Sequence, residues 1–324
     1  MRRGGHRGQR VRLQAVDWVE RVASMRQWTR QGERAPHKPL LLLYALGHFQ
    51  RNGDQPIPFS EAEAQLGRLL REFGPPRGTS AAYPFHHLTS DGLWTVTTDR
   101  GEGSPGSAPT ALRGLHAAGR LAPDLVRSLR SQPHLLPQLA RAILDDNFEP
   151  SLHEDICAEA GLDLETAETV PRSGRARRGR DPQFRARVLV AYEYRCAFCG
   201  YDGWLGGTMV GLDAAHVRWR ALGGPDEVAN GLCLCALHHK LFDKGVLGIS
   251  GQQVAVSAHF AGRSQAAESL VLSLSDREVA RPQQGFPAVS GLHAAWHARE
   301  VFRAPARGGA GLASTPATAG PAVS

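Results

Sequence analysis

The most specific chemistry in this 324-residue chain sits in four positions. Cys196 and Cys199 form a C-x2-C knuckle, and Cys235 and His238 repeat the same gap 36 positions later. Such a knuckle presents two thiolates on one tight turn, and a second pair at the start of a helix completes a tetrahedron suited to zinc. A redox C-x-x-C pair would follow a strand in a βαβ setting, which is missing from this pattern, and unligated core cysteines are the other alternative. In a small unit with little core the metal would supply much of the folding free energy. Cys157 and Cys233 fall outside this frame and read as packed thiols.

Inside the frame lie His216, Asn230 and His239, 14 and 9 positions apart. Adjacent helix residues point about 100° apart, so His238 can face the zinc while His239 faces the strands. Asp243, at i+4 from His239, shares its helical face and can add a hard oxygen ligand for Mg²⁺ or Mn²⁺. A neutral imidazole poised near physiological pH suits a base acting on water, and phosphodiester hydrolysis fits the set. The stretches Asp213-Ala-Ala-His216-Val, Asn230-Gly231-Leu232 and His238-His239-Lys240-Leu-Phe-Asp243 resemble the HNH endonucleases of the ββα-metal fold, over about 184–250. That resemblance implies His216 as general base, Asn230 as the residue orienting loop and base, and His239 as ligand of the catalytic metal. Ala215 departs from it, because many members carry His or Asp there. Asp213 has the same strand parity, about 7 Å further along, and is the candidate replacement.

The elements that must position these groups follow from pattern. Phe184 to Tyr194 has helical periodicity and runs into the knuckle. A strand is expected over Met209–Trp219, a loop around Gly223-Gly224-Pro225, a second strand over Gly231–Leu234, and a two-turn helix from near Ala236 to Gly245. In the first half, Val16, Val19, Val22, Ala23 and Trp28 have helical spacing, and Pro39 to Phe49 reads as a largely buried helix. Ser60 and Glu63 form a capping-box pattern opening a helix with Leu66, Leu69, Leu70 and Phe73. Tyr83-Pro84-Phe85 and Leu93-Trp94-Thr95-Val96 flank Ser90-Asp91-Gly92, a pattern for a short hairpin. Helical segments follow at 123–131, 134–146 and 152–160. The fold class is α+β: a mostly helical first domain with a short hairpin, then a zinc-stabilised ββα unit.

Charge divides the chain further. The net charge is +7, with 38 basic and 31 acidic side chains. Residues 1–12 carry +5 and residues 172–187 carry +6, so the remainder is net acidic. Arg-rich segments of this kind attract polyanions, nucleic acid above all, although they also read as solubilising linkers in an Arg-heavy chain. The divisions expected are a basic arm at 1–15, a DNA-reading domain at 16–165, an Arg-rich linker at 166–183, a nuclease domain at 184–303 and a tail at 304–324. The longest apolar run, Pro39–Gly47, is about half a membrane span, and no apolar stretch follows the basic start. A cytoplasmic address without membrane contact is expected.

Two stretches of the first half are distinctive: His37-Lys38-Pro39-Leu40-Leu41-Leu42-Leu43-Tyr44-Ala45-Leu46, and Tyr83-Pro84-Phe85-His86-His87-Leu88 before Asp91-Gly92-Leu93-Trp94. Over roughly 16–165 they resemble the sulfur-binding domain of phosphorothioation-dependent restriction endonucleases, in which this domain precedes an HNH nuclease. The resemblance implies double-stranded phosphorothioated DNA as the partner, with room for a homodimer. Sulfur is larger and a weaker hydrogen-bond acceptor than oxygen. A shallow apolar pocket would accept it and penalise a hydrated oxygen by ~1–3 kcal/mol. Tyr83, Pro84 and the side chain at 87 would form that pocket beside His86. Arg34, His37 and Lys38 would hold flanking phosphates or read a base edge. The reading is a restriction-type endonuclease with structural Zn²⁺ and catalytic Mg²⁺ or Mn²⁺ working by a one-metal mechanism. The alternatives are an HNH nuclease reading another modification or sequence, and a catalytically silent zinc-containing DNA-binding protein.

Overall fold

The computed structural model describes residues 17–27, 29–30, 33–164 and 181–308. The basic arm, most of the Arg-rich linker, the end of the tail, and the helical positions Val16 and Trp28 lie outside them. The first half is built around α2 (His37–Asn52), in which Leu40–Leu43 and Leu46 are all fully buried. A helix apolar on every side belongs in the middle of a core. Around it stand α1 (Trp18–Ala23) and a two-stranded ladder of β1 (Thr29–Arg30) and β2 (Glu33–Arg34). A four-stranded antiparallel sheet follows, in the order β3-β6-β4-β5. Its strands are β3 (Ile57–Pro58), β4 (Trp94–Thr98), β5 (Gly101–Glu102) and β6 (Ala118–Leu121). Helices α3 (Phe59–Phe73), α4 (Ala82–His87), α5 (Pro109–Gly114), α6 (Pro123–Ser131), α7 (Leu135–Asn147) and α8 (His153–Ala160) complete it. Gly47 of α2 lies so near α8 that a Cβ there would meet Ala160 O at 2.2 Å, so only glycine permits this helix contact.

Three local expectations are corrected. The capping box does not form: α3 starts at Phe59, and its N-cap is Pro58 with no side-chain cap. The hairpin expected around Ser90-Asp91-Gly92 is instead α4 followed by a 3-10 turn that ends at a left-handed Gly92. Pro84 is tolerated because it stands in the first turn of α4, where its missing N–H costs no helical bond. Asp91 is drawn inward to Lys38, their ion pair measuring 2.6 Å with both side chains buried. The long strand expected over Met209–Trp219 is broken at Gly211, whose φ is +73°. Met209 joins a small hairpin of β7 (Trp204–Leu205) and β8 (Thr208–Met209), and the main strand is β9 (Leu212–His216).

The second half has its own core under the hairpin of β9 and β10 (Gly231–Cys235). Their antiparallel register sets His216 opposite Gly231 and Asp213 opposite Leu234. Helix α9 (Pro182–Ala191) covers one face, and α10 (Ala236–Asp243) follows β10 directly. A second hairpin, β11 (Leu247–Ser250) with β12 (Gln253–Val256), and helices α11 (Gln265–Leu270) and α12 (Gly291–Glu300) extend this half. The two halves share apolar contacts, since Trp219, Trp296 and Val301 sit in the first core rather than the second. The ion pair of Arg77 with Glu300 ties them again.

Candidate active site and metal centre

The knuckle after α9 and the β10–α10 junction bring Cys196, Cys199, Cys235 and His238 together, with one ligand atom from each within 4.8 Å of the others. His238 Nδ1 lies 3.4 Å from Cys196 Sγ and 3.2 Å from Cys235 Sγ. A tetrahedral zinc at its usual bond lengths sets such atoms about 3.5–3.8 Å apart, so the donors fit. His238 Nε2–H donates to Leu270 O at 2.8 Å, which turns Nδ1 toward the sulfurs. Hydrogen bonds from Cys199 and Cys235 pull the Cys196 thiol far down, toward the thiolate a metal needs. Cys233 is buried apart from this cluster, and burial pushes its thiol up to about 12.

His216 ends β9 inside the protein. Its ring stacks on Phe184 at 4.2 Å between centroids, and its Nε2–H donates to Asp226 Oδ1 at 2.8 Å. That bond fixes the proton on Nε2 and directs Nδ1 toward Glu149, whose Oε2 is 3.9 Å away. Asn230 is fully buried and clasps the intervening loop: its Oδ1 accepts from Arg218 N–H at 2.8 Å. Its Nδ2 donates to Arg218 O and Pro225 O, both at 3.0 Å. Gly224 is required inside the clasp, where a Cβ would fall 1.8 Å from Arg218 O. Burial raises the Asp226 carboxyl, but the Asp181 N–H and His216 outweigh it and hold the group below its ordinary value.

On α10, His239 is flanked by two carboxylates. Asp243 Oδ2 lies 3.2 Å from Nε2 and Asp213 Oδ2 lies 3.7 Å from Nδ1. Burial opposes protonation of His239, yet Asp243, Asp213 and Glu149 together raise it to about 9. Asp213 also pairs with Arg185 at 3.0 Å. It borders an open cleft of about 380 Å³ with Ser151, Arg185, His239 and Lys240. Asp243 lies behind the ring, fully buried, and its Oδ1 has no hydrogen-bond partner among the described residues. His239 Nδ1 and Asp213 face each other and make a nitrogen-and-oxygen pair that suits a divalent cation, whereas Asp243, expected as a ligand, stands on the opposite, Nε2 side of the ring.

The residues expected to read DNA are only partly gathered. Tyr83 and His87 lie 4.3 Å apart between ring centroids, with the His37 ring edge-on to Tyr83 at 6.3 Å. Burial and the charge of Arg77 lower His37 to about 4, and burial with His86 and Lys38 lowers His87. His86 bonds Ser104 at 2.8 Å. Pro84 is buried, so its ring faces the core rather than an outer pocket wall. Arg34 lies on β2, three residues before α2. Lys38 departs from its expected place, because its ammonium is buried on Asp91 rather than presented to phosphate. Sequence reasoning missed Asp226, Glu149 and Phe184. An acid ten positions after His216 was a faint signal for Asp226, whereas nothing local marks Glu149, 67 positions before His216.

Residues 196–250, which span the zinc-type cluster and the hairpin and helix bearing His216, Asn230 and His239, match the HNH endonuclease family model. The chain is a metal-dependent DNA endonuclease. Its residues 15–165 match the ScoMcrA-like DNA sulfur-binding domain, so a sulfur-binding domain precedes the HNH domain. Among solved structures, the sulfur-binding domain of ScoMcrA complexed with phosphorothioated DNA is 24% identical, covers 46% of this chain and 97% of that one, and gives a TM-score of 0.37. The corresponding SprMcrA domain complexed with phosphorothioated DNA is 24% identical over 45% of this chain and 93% of that one, with a TM-score of 0.39. The Type IV phosphorothioation-dependent restriction endonuclease ScoMcrA is 24% identical over 53% of this chain but only 33% of its own, with a TM-score of 0.35. A search of curated proteins finds no match. No helix among the described residues is long and apolar enough to cross a membrane.

Proposed function

We propose that the protein is a restriction-type endonuclease that recognises phosphorothioated duplex DNA with its first domain and hydrolyses phosphodiester bonds with its second. The observation that carries this reading is the joint presence of the two matched domains, 15–165 and 196–250, in one chain. The sulfur would sit against Tyr83 and His87, beside His37; burial lowers both imidazoles and so favours their uncharged form. An uncharged aromatic surface tolerates a polarizable, weakly accepting sulfur better than a hydrated oxygen.

In the nuclease, His216 Nδ1 takes the proton from the attacking water while Asp226 holds Nε2–H and stabilises the imidazolium. Asn230 keeps closed the loop that carries Asp226 back to His216. His239 and Asp213 would hold Mg²⁺ or Mn²⁺ at the cleft, with Asp243 orienting His239 from behind in the manner of a carboxylate–histidine relay. Such a cation, when bound, would supply electrostatic stabilisation to the phosphate and the leaving 3′ oxygen. Zinc at Cys196, Cys199, Cys235 and His238 would brace the β10–α10 junction on which His239 stands. Digestion of matched phosphorothioated and unmodified duplexes, with Mn²⁺ or Mg²⁺ and with EDTA, tests the reading. Metal-dependent cutting of the sulfur duplex supports it, and no cutting of either duplex overturns it.

A further inference from the structure

The segment 149–155, which comprises the link from α7 and the first turn of α8, belongs to the DNA-reading half, yet its polar groups are engaged by the nuclease half. Glu149 Oε1 accepts from Arg220 N–H at 2.8 Å, and its other oxygen faces His216. Ser151 donates its hydroxyl to Asp243 and accepts Lys240 Nζ on its carbonyl. Asp155 receives Lys240 at 3.0 Å and Lys244 at 2.8 Å. Phe148 and Leu152, each 1% exposed, anchor the segment in the first core. Beneath it the side chains of His216 and Asp243 are wholly shielded from solvent.

A base must come within about 3 Å of the proton it removes, and the water must also reach a phosphorus of bulky duplex DNA. A fully buried His216 cannot meet both conditions. We propose that the segment 149–155 is an autoinhibitory latch, through which the DNA-reading domain keeps the nuclease face closed until the substrate is engaged. This rests on the nuclease reading above. The latch is built to release: Asp155, Lys240 and Lys244 keep roughly 30% of their side-chain surface in solvent, where ion pairs are weak and screened. A contiguous element joins latch and reading surface. The N-terminus of α2 borders Tyr83 through His37, and Gly47 of the same helix abuts Ala160 at the far end of α8.

The test uses the full-length protein with Mn²⁺ and matched sulfur and plain duplexes. Asp155→Ala and Asp155→Lys should raise cutting of the plain duplex at least tenfold while leaving cutting of the sulfur duplex within about twofold. Asp155→Glu, which keeps the negative charge facing Lys240 and Lys244, should keep the low plain-duplex rate. In the wild type, binding of sulfur duplex should speed amide hydrogen exchange over 149–155 several-fold, a readout independent of cleavage and of how the variants fold. Unchanged plain-duplex cutting in both Asp155→Ala and Asp155→Lys, loss of cutting on both duplexes with an unaltered melting temperature, or unchanged exchange over 149–155 would each overturn the latch. A wild type that cuts neither duplex indicts the nuclease reading itself, and is seen before any variant is made.

Discussion

The two candidate metal centres lie on the same short helix but are assembled in different ways. The Cys196, Cys199, Cys235 and His238 cluster draws every ligand from the second half, at a separation where four donors can meet one ion. The surroundings of His216 and His239 combine groups from β9, the loop after it and α10 with Glu149 and Ser151 of the other half. The first centre is self-contained, so its chemistry is a property of one domain. The second is coupled to the DNA-reading domain by construction, so its exposure depends on how the halves sit.

The largest effect is expected where that self-containment is broken. Cys235→Ser should remove one tightly held zinc per chain and unfold the second half, because structural zinc contributes roughly 10 kcal/mol or more to such small units. Metal analysis with differential scanning calorimetry checks this. A variant that keeps both metal and melting temperature would make the cysteines ordinary core residues. At the other centre, His216→Ala should cut the cleavage rate by about 10²–10⁴ while leaving DNA affinity and zinc content nearly unchanged, since a general base acts on the barrier. Asp226→Asn should give a smaller loss, read in the same single-turnover assay.

This contrast also marks what sequence could disclose. The zinc ligands and the His216, Asn230, His239 series come from short spacings on a strand, a loop and a helix, so their types and intervals were enough to assemble them. Asp226 and Glu149 were missed because their roles depend on a loop clasp and on contact between halves, which no periodicity encodes. Lys38 shows the same limit in reverse. A lysine beside His37 at a helix start reads as a phosphate contact, but Asp91, 53 positions later, holds it inside. The stretches Tyr83-Pro84-Phe85 and Leu93-Trp94-Thr95-Val96 about Ser90-Asp91-Gly92 have the pattern of a hairpin, but Pro84 fits equally in the first turn of a helix, and α4 is what forms.

Lys38 sharpens the comparison through stability. Lys38→Ala leaves Asp91 buried without its partner and should destabilise the first half by about 3–5 kcal/mol in chemical denaturation. Lys38→Met with Asp91→Asn should recover much of that loss. If Lys38→Ala instead folds normally and merely flattens the salt dependence of DNA binding, the residue serves phosphate after all.

A smaller effect concerns pH. Unfolded, His37 takes up its proton near 6.5, whereas folded it does so only near 4. The stability gained from keeping the ring neutral is therefore complete above 6.5 and is lost as pH falls toward 4. At about 1.4 kcal/mol per unit this amounts to at most ~3 kcal/mol. His37→Asn should reduce the slope of stability against pH in that window, and an unchanged slope would assign it to other groups.

The coupling of reading to cutting is tested most directly by single-turnover cleavage of one duplex sequence, with and without a phosphorothioate in its backbone, by the full-length protein in Mn²⁺. The sulfur duplex should be cut at least tenfold faster, with the difference surviving raised salt because phosphate attraction weakens alike for both. Equal cutting of the two duplexes across several sequences would contradict sulfur-directed function, and would leave a metal-dependent nuclease whose first domain reads something else.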